Sequence, residues 1–299
     1  MSDTSWLSEF PAMERADLRA IRKTLDGLYR DFSREYGEVI ESIFDPLLSF
    51  LVWFEKLLLS TPWFIVLACC CGLVYAASRS WKLVVGCAVS LLLIGYFGMW
   101  DDTMRTLSII TVCTMLAIVL GIPIGIAMAR SDRVQSVVTP MLDIMQTMPA
   151  FVYLIPVVML LGIGKIPGLI AVIIYAIPPV IRLTNLGIRL VDTEVLEAAT
   201  AFGASKKQRL FGVQLPLAMP TIMAGINQTI MMALSMVVIA SMIGVKGLGQ
   251  PVLKSITNQY FTLGLLNGFA IVALAILFDR ASQAYAKRTQ AHLGDLKHD

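Results

Sequence analysis

Few residues in this chain have the types and spacing that catalysis or metal binding needs. The only histidines, His292 and His298, stand near the C-terminus, so no histidine-based triad or histidine-rich metal site can be assembled. The five cysteines (Cys69, Cys70, Cys71, Cys87 and Cys113) all lie inside apolar runs. There a thiol serves as a small apolar residue, not as a disulfide or metal partner. Gly162-Ile163-Gly164-Lys165 falls short of a phosphate-binding loop, because Met159 stands where the first glycine belongs and Ile166 where Ser or Thr belongs. No catalytic residue, metal, cofactor or nucleic-acid partner is expected. One polar stretch stands apart: Glu197-Ala198-Ala199, then Gly203, then Leu215-Pro216. Small residues beside an acid, bounded by apolar runs, offer a surface that another protein can approach closely. The chemistry in view is docking.

The local signals give this stretch a shape. Asp192 is placed to cap a helix over about residues 193–202, with Glu194 and Glu197 near its positive end. Gly203 suits a helix terminus with positive φ. Ser205 with Gln208 is a capping box opening a second short helix. Lys206, Lys207 and Arg209 add basic charge, and Pro216 marks the return to apolar sequence. Residues 191–217 therefore read as a rigid helix–turn–helix.

The elements that must hold this loop are membrane spans. The chain is 57% hydrophobic and 15% charged, against about 25% charged in soluble domains. A helix needs about 20 apolar residues to cross the hydrocarbon. Seven segments qualify, near 61–78, 81–99, 104–129, 140–162, 166–190, 218–243 and 262–280. With the loop inside the cell, cytoplasmic ends hold Arg79, Lys82, Arg130, Arg133, Arg182, Arg189, Lys206, Lys207, Arg209, Arg280, Lys287, Arg288 and Lys297. The other side holds only Arg105, Lys165, Lys246 and Lys254. This asymmetry predicts a cytoplasmic C-terminus and an external N-terminus. Ahead of the spans, Leu18, Ile21, Leu25, Leu28, Phe32, Tyr36, Val39 and Ile43 repeat every three or four residues, as in an amphipathic helix. That helix either packs on its own protein or lies on the membrane surface. The apolar stretch 46–59 is too short to span and is expected in the interface.

The loop pattern is specific. Glu-Ala-Ala, three residues, Gly, nine residues, a β-branched residue, one residue, Leu-Pro is met by Glu197-Ala198-Ala199, Gly203, Val213 and Leu215-Pro216. It resembles the EAA loop of the membrane (permease) subunits of bacterial ABC importers. The resemblance covers about residues 100–280. Met148 to Pro156, Gly225 to Ala240 and Gly247 to Gln250 are similar to the glycine betaine/proline betaine, or quaternary amine, transport subfamily, whose permeases also carry an N-terminal extension. It implies an all-α, type I importer permease fold in the inner membrane, with Glu197, Ala198, Ala199, Gly203, Leu215 and Pro216 as the coupling element. Implied partners are two copies of an ABC ATPase subunit, an external substrate-binding protein and a second permease copy, with ATP hydrolysis left to the ATPase. The implied cargo is glycine betaine, proline betaine or a related osmolyte. The organisation expected is 1–45 N-terminal amphipathic extension, 46–60 interfacial helix, 61–100 two peripheral spans, 101–281 core permease domain and 282–299 cytoplasmic tail.

Candidates to line the translocation path are the polar or aromatic residues within spans: Gln146, Tyr153, Asn227, Gln228 and Ser235, with Asn185 and Thr229 beside them. Interhelical hydrogen bonding is the competing role for each. Asp143, Arg105 and Arg182 lie toward segment ends, so the spans are nearly free of charge at their centres. Ion-coupled carriers accept the cost of such charges, which argues against the rival reading, a carrier or channel for a small zwitterion working alone. No internal repeat supports that rival either. Gly121-x-x-x-Gly125 is a small-residue motif expected to let helices approach closely.

Overall fold

The computed structural model describes residues 12–295, with side chains through 286. Residues 1–11 of the expected extension, the last four of the expected tail and both histidine side chains lie outside that description. The described chain is helical: α1 (Arg15–Ser60), α2 (Trp63–Ser78), α3 (Trp81–Tyr96), α4 (Trp100–Arg130), α5 (Asp132–Thr147), α6 (Ala150–Leu161), α7 (Lys165–Ala176), α8 (Pro178–Arg189), α9 (Thr193–Ala201), α10 (Lys206–Arg209), α11 (Leu215–Ala240), α12 (Gly249–Asn258) and α13 (Phe261–Asp295). Helix α13 runs through the boundary expected at 281, so the tail continues the last span without a break.

Among the described residues, four helical runs are long and apolar enough to cross a bilayer: Trp100–Arg130, Lys165–Arg189, Lys206–Ile243 and Phe261–Ala286. Three of the seven expected segments look different. Helix α2 turns by 113° from α1, α5 turns by 102° into α6, and α3 is a shorter apolar helix. The expected span 140–162 thus has a break at its centre. Met148 precedes Pro149, and a residue before proline is driven out of the helical region; its ψ is 133°. The 12 residues of α6 then rise only about 18 Å.

The core centres on α8, packed between α4 and α11. Val180 and Thr184 are fully buried, and Ile181 and Ile188 nearly so. The small-residue motif explains the closeness. A Cβ at Gly125 would stand 2.6 Å from Thr184 Cβ and 2.7 Å from the Ile181 carbonyl, and one at Gly121 would strike Val180. On the other side of α8, Gly187 meets Ala218, and Gly225 of α11 meets Val180 and Leu183. Backbones in such contact gain dispersion and exclude alternative side-chain arrangements.

Helix α1 joins into one rod what the sequence suggested as two pieces, 18–44 and 46–59; Pro46 lies inside it. Its polar notch docks on the C-terminal end of α6. The Tyr29 hydroxyl donates to the Pro156 carbonyl, and Ser33 donates to the carbonyl of Leu160 at 3.2 Å and of Met159 at 3.3 Å. Carbonyls in the last turn of a helix lack partners within it, so Ser33 serves as a cap, while Tyr29 binds one turn earlier. Further along, Glu55 accepts from Lys165 at 2.6 Å and lies 3.9 Å from Arg105. Glu55 is only 9% exposed, and a carboxylate at that depth needs the two cations. The apolar stripe from Leu18 to Ile43 meanwhile stays exposed.

Close approach at Gly125 makes a firm prediction. Gly125→Leu should destabilise the detergent-solubilised protein by about 1–3 kcal/mol of overpacking or more, read as a lower thermal midpoint. An unchanged midpoint would contradict the packing described.

Candidate functional site

The stretch 191–217 folds as its capping residues dictate. Val191 is buried at the end of α8, and Asp192 accepts a 2.9 Å bond from the Glu194 amide to open α9. Gly203 adopts φ +81°, and the turn closes through Phe202 N–H to Ala198 at 3.1 Å and Ala204 N–H to Ala199 at 3.0 Å. The αL residue lets the chain reverse while the last carbonyls of α9 stay satisfied. Ser205 and Gln208 then cap α10 reciprocally, at 3.3 and 2.9 Å. Arg209 donates to Thr200 at 3.0 Å and ties α10 back to α9.

Nothing in α9 is buried. Glu197, Ala198 and Gly203 are exposed and Ala199 is half-buried. Thr193, Leu196, Glu197, Thr200, Ala201 and Arg209 surround a shallow recess of about 470 Å³. Two apolar residues complete the surface without having been singled out from sequence: Phe202 is 92% exposed and Phe211 65%. A large aromatic inside the one long polar loop was the available sign.

The return to apolar sequence differs from the expectation that Pro216 would mark it. The helix is already continuous from Lys206, and Leu210–Gln214 form a π-turn ahead of Leu215 and Pro216. The Leu215 amide bonds back to Leu210. Proline has no amide hydrogen and its ring crowds the carbonyl four residues earlier, so a widened turn lets the helix pass through it.

The structure separates the path candidates. Gln228 and Ser235 share one exposed face of α11 with Leu217, Ala224 and Met231. Gln146 is exposed in the last turn of α5. Tyr153 is 5% exposed, its hydroxyl donates to the Met145 carbonyl and its ring packs on Tyr175. Asn227 is half-buried and occupied: it donates to Asp279 at 2.8 Å and accepts from Ser282 at 2.6 Å. Asn185 is buried and accepts from Arg189 at 3.0 Å. Tyr153 and Asn227 bond to neighbouring helices and Asn185 to Arg189 of its own helix, and the pairing of Asn227 with Asp279 could not be seen without the packing of α11 on α13.

Comparison with known proteins agrees with this geometry. Residues 121–291 match the family model described as the binding-protein-dependent transport system inner membrane component. The chain is 47% identical over 261 residues to the glycine betaine/proline betaine transport system permease protein ProW of Escherichia coli, covering 86% of this chain and 72% of that protein. It is 44% identical over 273 residues to the glycine betaine/carnitine transport permease protein GbuB of Listeria monocytogenes, covering 91% of this chain and 95% of that protein. Among solved structures, the inward-facing MetNI methionine ABC transporter matches with a TM-score of 0.57 at 20% identity, over 62% of this chain and 93% of that one. That likeness establishes the fold. Membership also sets aside the carrier working alone. The loop, the fold and these matches together identify the chain as a member of the binding-protein-dependent transport system inner membrane component family, the non-catalytic permease subunits of ABC importers.

Proposed function

We propose that this permease imports glycine betaine, proline betaine or a related quaternary amine, as a homodimer with two ATPase subunits inside and a substrate-binding protein outside. One observation carries the coupling role: a rigid α9–Gly203–α10 unit, hung between α8 and α11, presents Glu197, Ala198 and Phe202 outward. A single chain holds one such unit, so a second copy supplies the contact for the second ATPase. Glu197, Ala198, Ala199, Gly203, Leu215 and Pro216 form the coupling element, the last two by fixing the stem. Gln228, Ser235 and Gln146 face the path. An uncharged path suits a zwitterion that is neutral overall, and the named relatives transport such compounds. The complete complex in proteoliposomes should take up labelled glycine betaine when given ATP and binding protein. Light scattering should count two permeases for every two ATPases. Absence of ATP-driven uptake of any quaternary amine would overturn the reading.

Substitutions in the loop test coupling directly. Gly203→Val places a β-branched side chain at positive φ, a strain of about 1–3 kcal/mol. Glu197→Lys reverses charge on the exposed face of the first helix. Both variants should insert normally and lose uptake by about tenfold or more, the effect of about 1.4 kcal/mol at the contact. Wild-type uptake by both would sink the coupling role.

The same reading places α1 on the external face. With α2 crossing the bilayer, the 113° bend lays α1 roughly along its surface. The stripe from Leu18 to Ile43 continues through exposed Phe50, Trp53 and Leu57, a face suited to the lipid interface. Single cysteines at Thr24 and Lys207, in a background lacking the native five, should react with an impermeant thiol reagent from opposite sides. Labelling from one side refutes the topology.

A further inference from the structure

Helix α5 is not a free segment between two spans. Arg189, at the end of α8, reaches three acceptors: Asn185 of its own helix at 3.0 Å, the Met128 carbonyl at the end of α4 at 2.9 Å, and Asp132, the first residue of α5, at 2.7 Å. Two turns earlier on α8, Arg182 pairs with Asp143 near the other end of α5. Between these pairs Leu142 is buried against Val180 and Ile181, so α5 lies along α8 and is stapled to it at both ends. Only Leu190 to Asp192 separate Arg189 from the coupling helix α9. At its far end α5 meets the 102° elbow into α6.

We propose that Arg182 and Arg189 are positioning residues that carry a movement of the loop into α5 and its elbow. An isolated exposed ion pair contributes little to stability, because solvent screens it and ordering the side chains costs entropy. Two pairs at opposite ends of one amphipathic helix do something else: they fix its register against α8. A push on α9 that shifts α8 then shifts α5 as one body, and the flexed joint at Met148-Pro149 passes the shift to α6. Without the staples, α8 can move while α5 stays behind. The role rests on the coupling reading above and adds residues that lie outside the Glu-Ala-Ala pattern.

The test uses the complete complex in proteoliposomes, with ATP hydrolysis and uptake of labelled glycine betaine read on the same preparation. Arg182→Asp and Asp143→Arg should each cut uptake about tenfold while hydrolysis and ATPase co-purification persist. The paired reversal should restore uptake, which a general folding defect would not allow. Arg189→Lys should also uncouple, since one ammonium cannot replace a fork that serves three acceptors. Spin labels at Ser136 and Thr193 read the staple without any substrate. Their distance should stay single between nucleotide-free and ATP-bound complexes and broaden in Arg182→Asp. Wild-type uptake in the single reversals, failure of the pair to restore it, parallel loss of hydrolysis, or an unchanged distance distribution would each overturn the proposal. Wild-type complex that holds the spin-label distance yet takes up no betaine would instead count against the substrate reading alone.

Discussion

The close packing of α8 between α4 and α11 is the constraint on which the rest depends. Gly121 and Gly125 bring one backbone within contact of α8, and Gly187 and Gly225 do the same on the other side. Water provides no hydrophobic drive between helices inside a bilayer, so this contact must come from fit at short range. Its consequence reaches the loop. The chain leaves the packed layer from α8 and returns through α11, so both stems of the α9–α10 unit are anchored on each other.

The irregular backbone is concentrated where that layer meets its surroundings. The π-turn at Leu210–Gln214 lets a helix that contains Pro216 continue without losing its direction. The elbow at Met148-Pro149 does the opposite and divides a span in two. Both arise from the same property of proline, and the difference lies in what precedes it. Before Pro216 the chain widens its turn and stays helical, whereas Met148 leaves the helical region altogether. At the other end of α6, the last-turn carbonyls of Met159 and Leu160 find a donor in Ser33 of α1.

Helix α1 is therefore more than an appended tail. It caps α6 and clamps Arg105 and Lys165 with the buried Glu55. Removing Glu55 would take the carboxylate from Lys165, while Arg105 keeps Asp102 at 4.0 Å. The polar notch of α1 faces the protein, and its apolar stripe faces away. Nearer its C-terminal end the helix also packs Leu51 into the core.

Local features were legible in the sequence because local physics decides them. The caps at Asp192 and Ser205, the left-handed Gly203, the close approach at Gly121 and Gly125 and the apolar character of the spans all depend on neighbours within a few residues or on composition. So did the family, since the Glu-Ala-Ala pattern is itself a run of short-range choices. Tertiary structure decided what lies beyond that range. It gave Asn227 and Tyr153 partners on neighbouring helices. It exposed Phe202, joined α1 into one rod and broke the 140–162 segment at a proline that composition alone passes over. It also paired Arg182 with Asp143 and Arg189 with Asp132 across long separations in sequence. A side chain's partner in such a protein is set by which helix faces it, and helix order around the core is fixed by packing, which no periodicity along a single chain encodes.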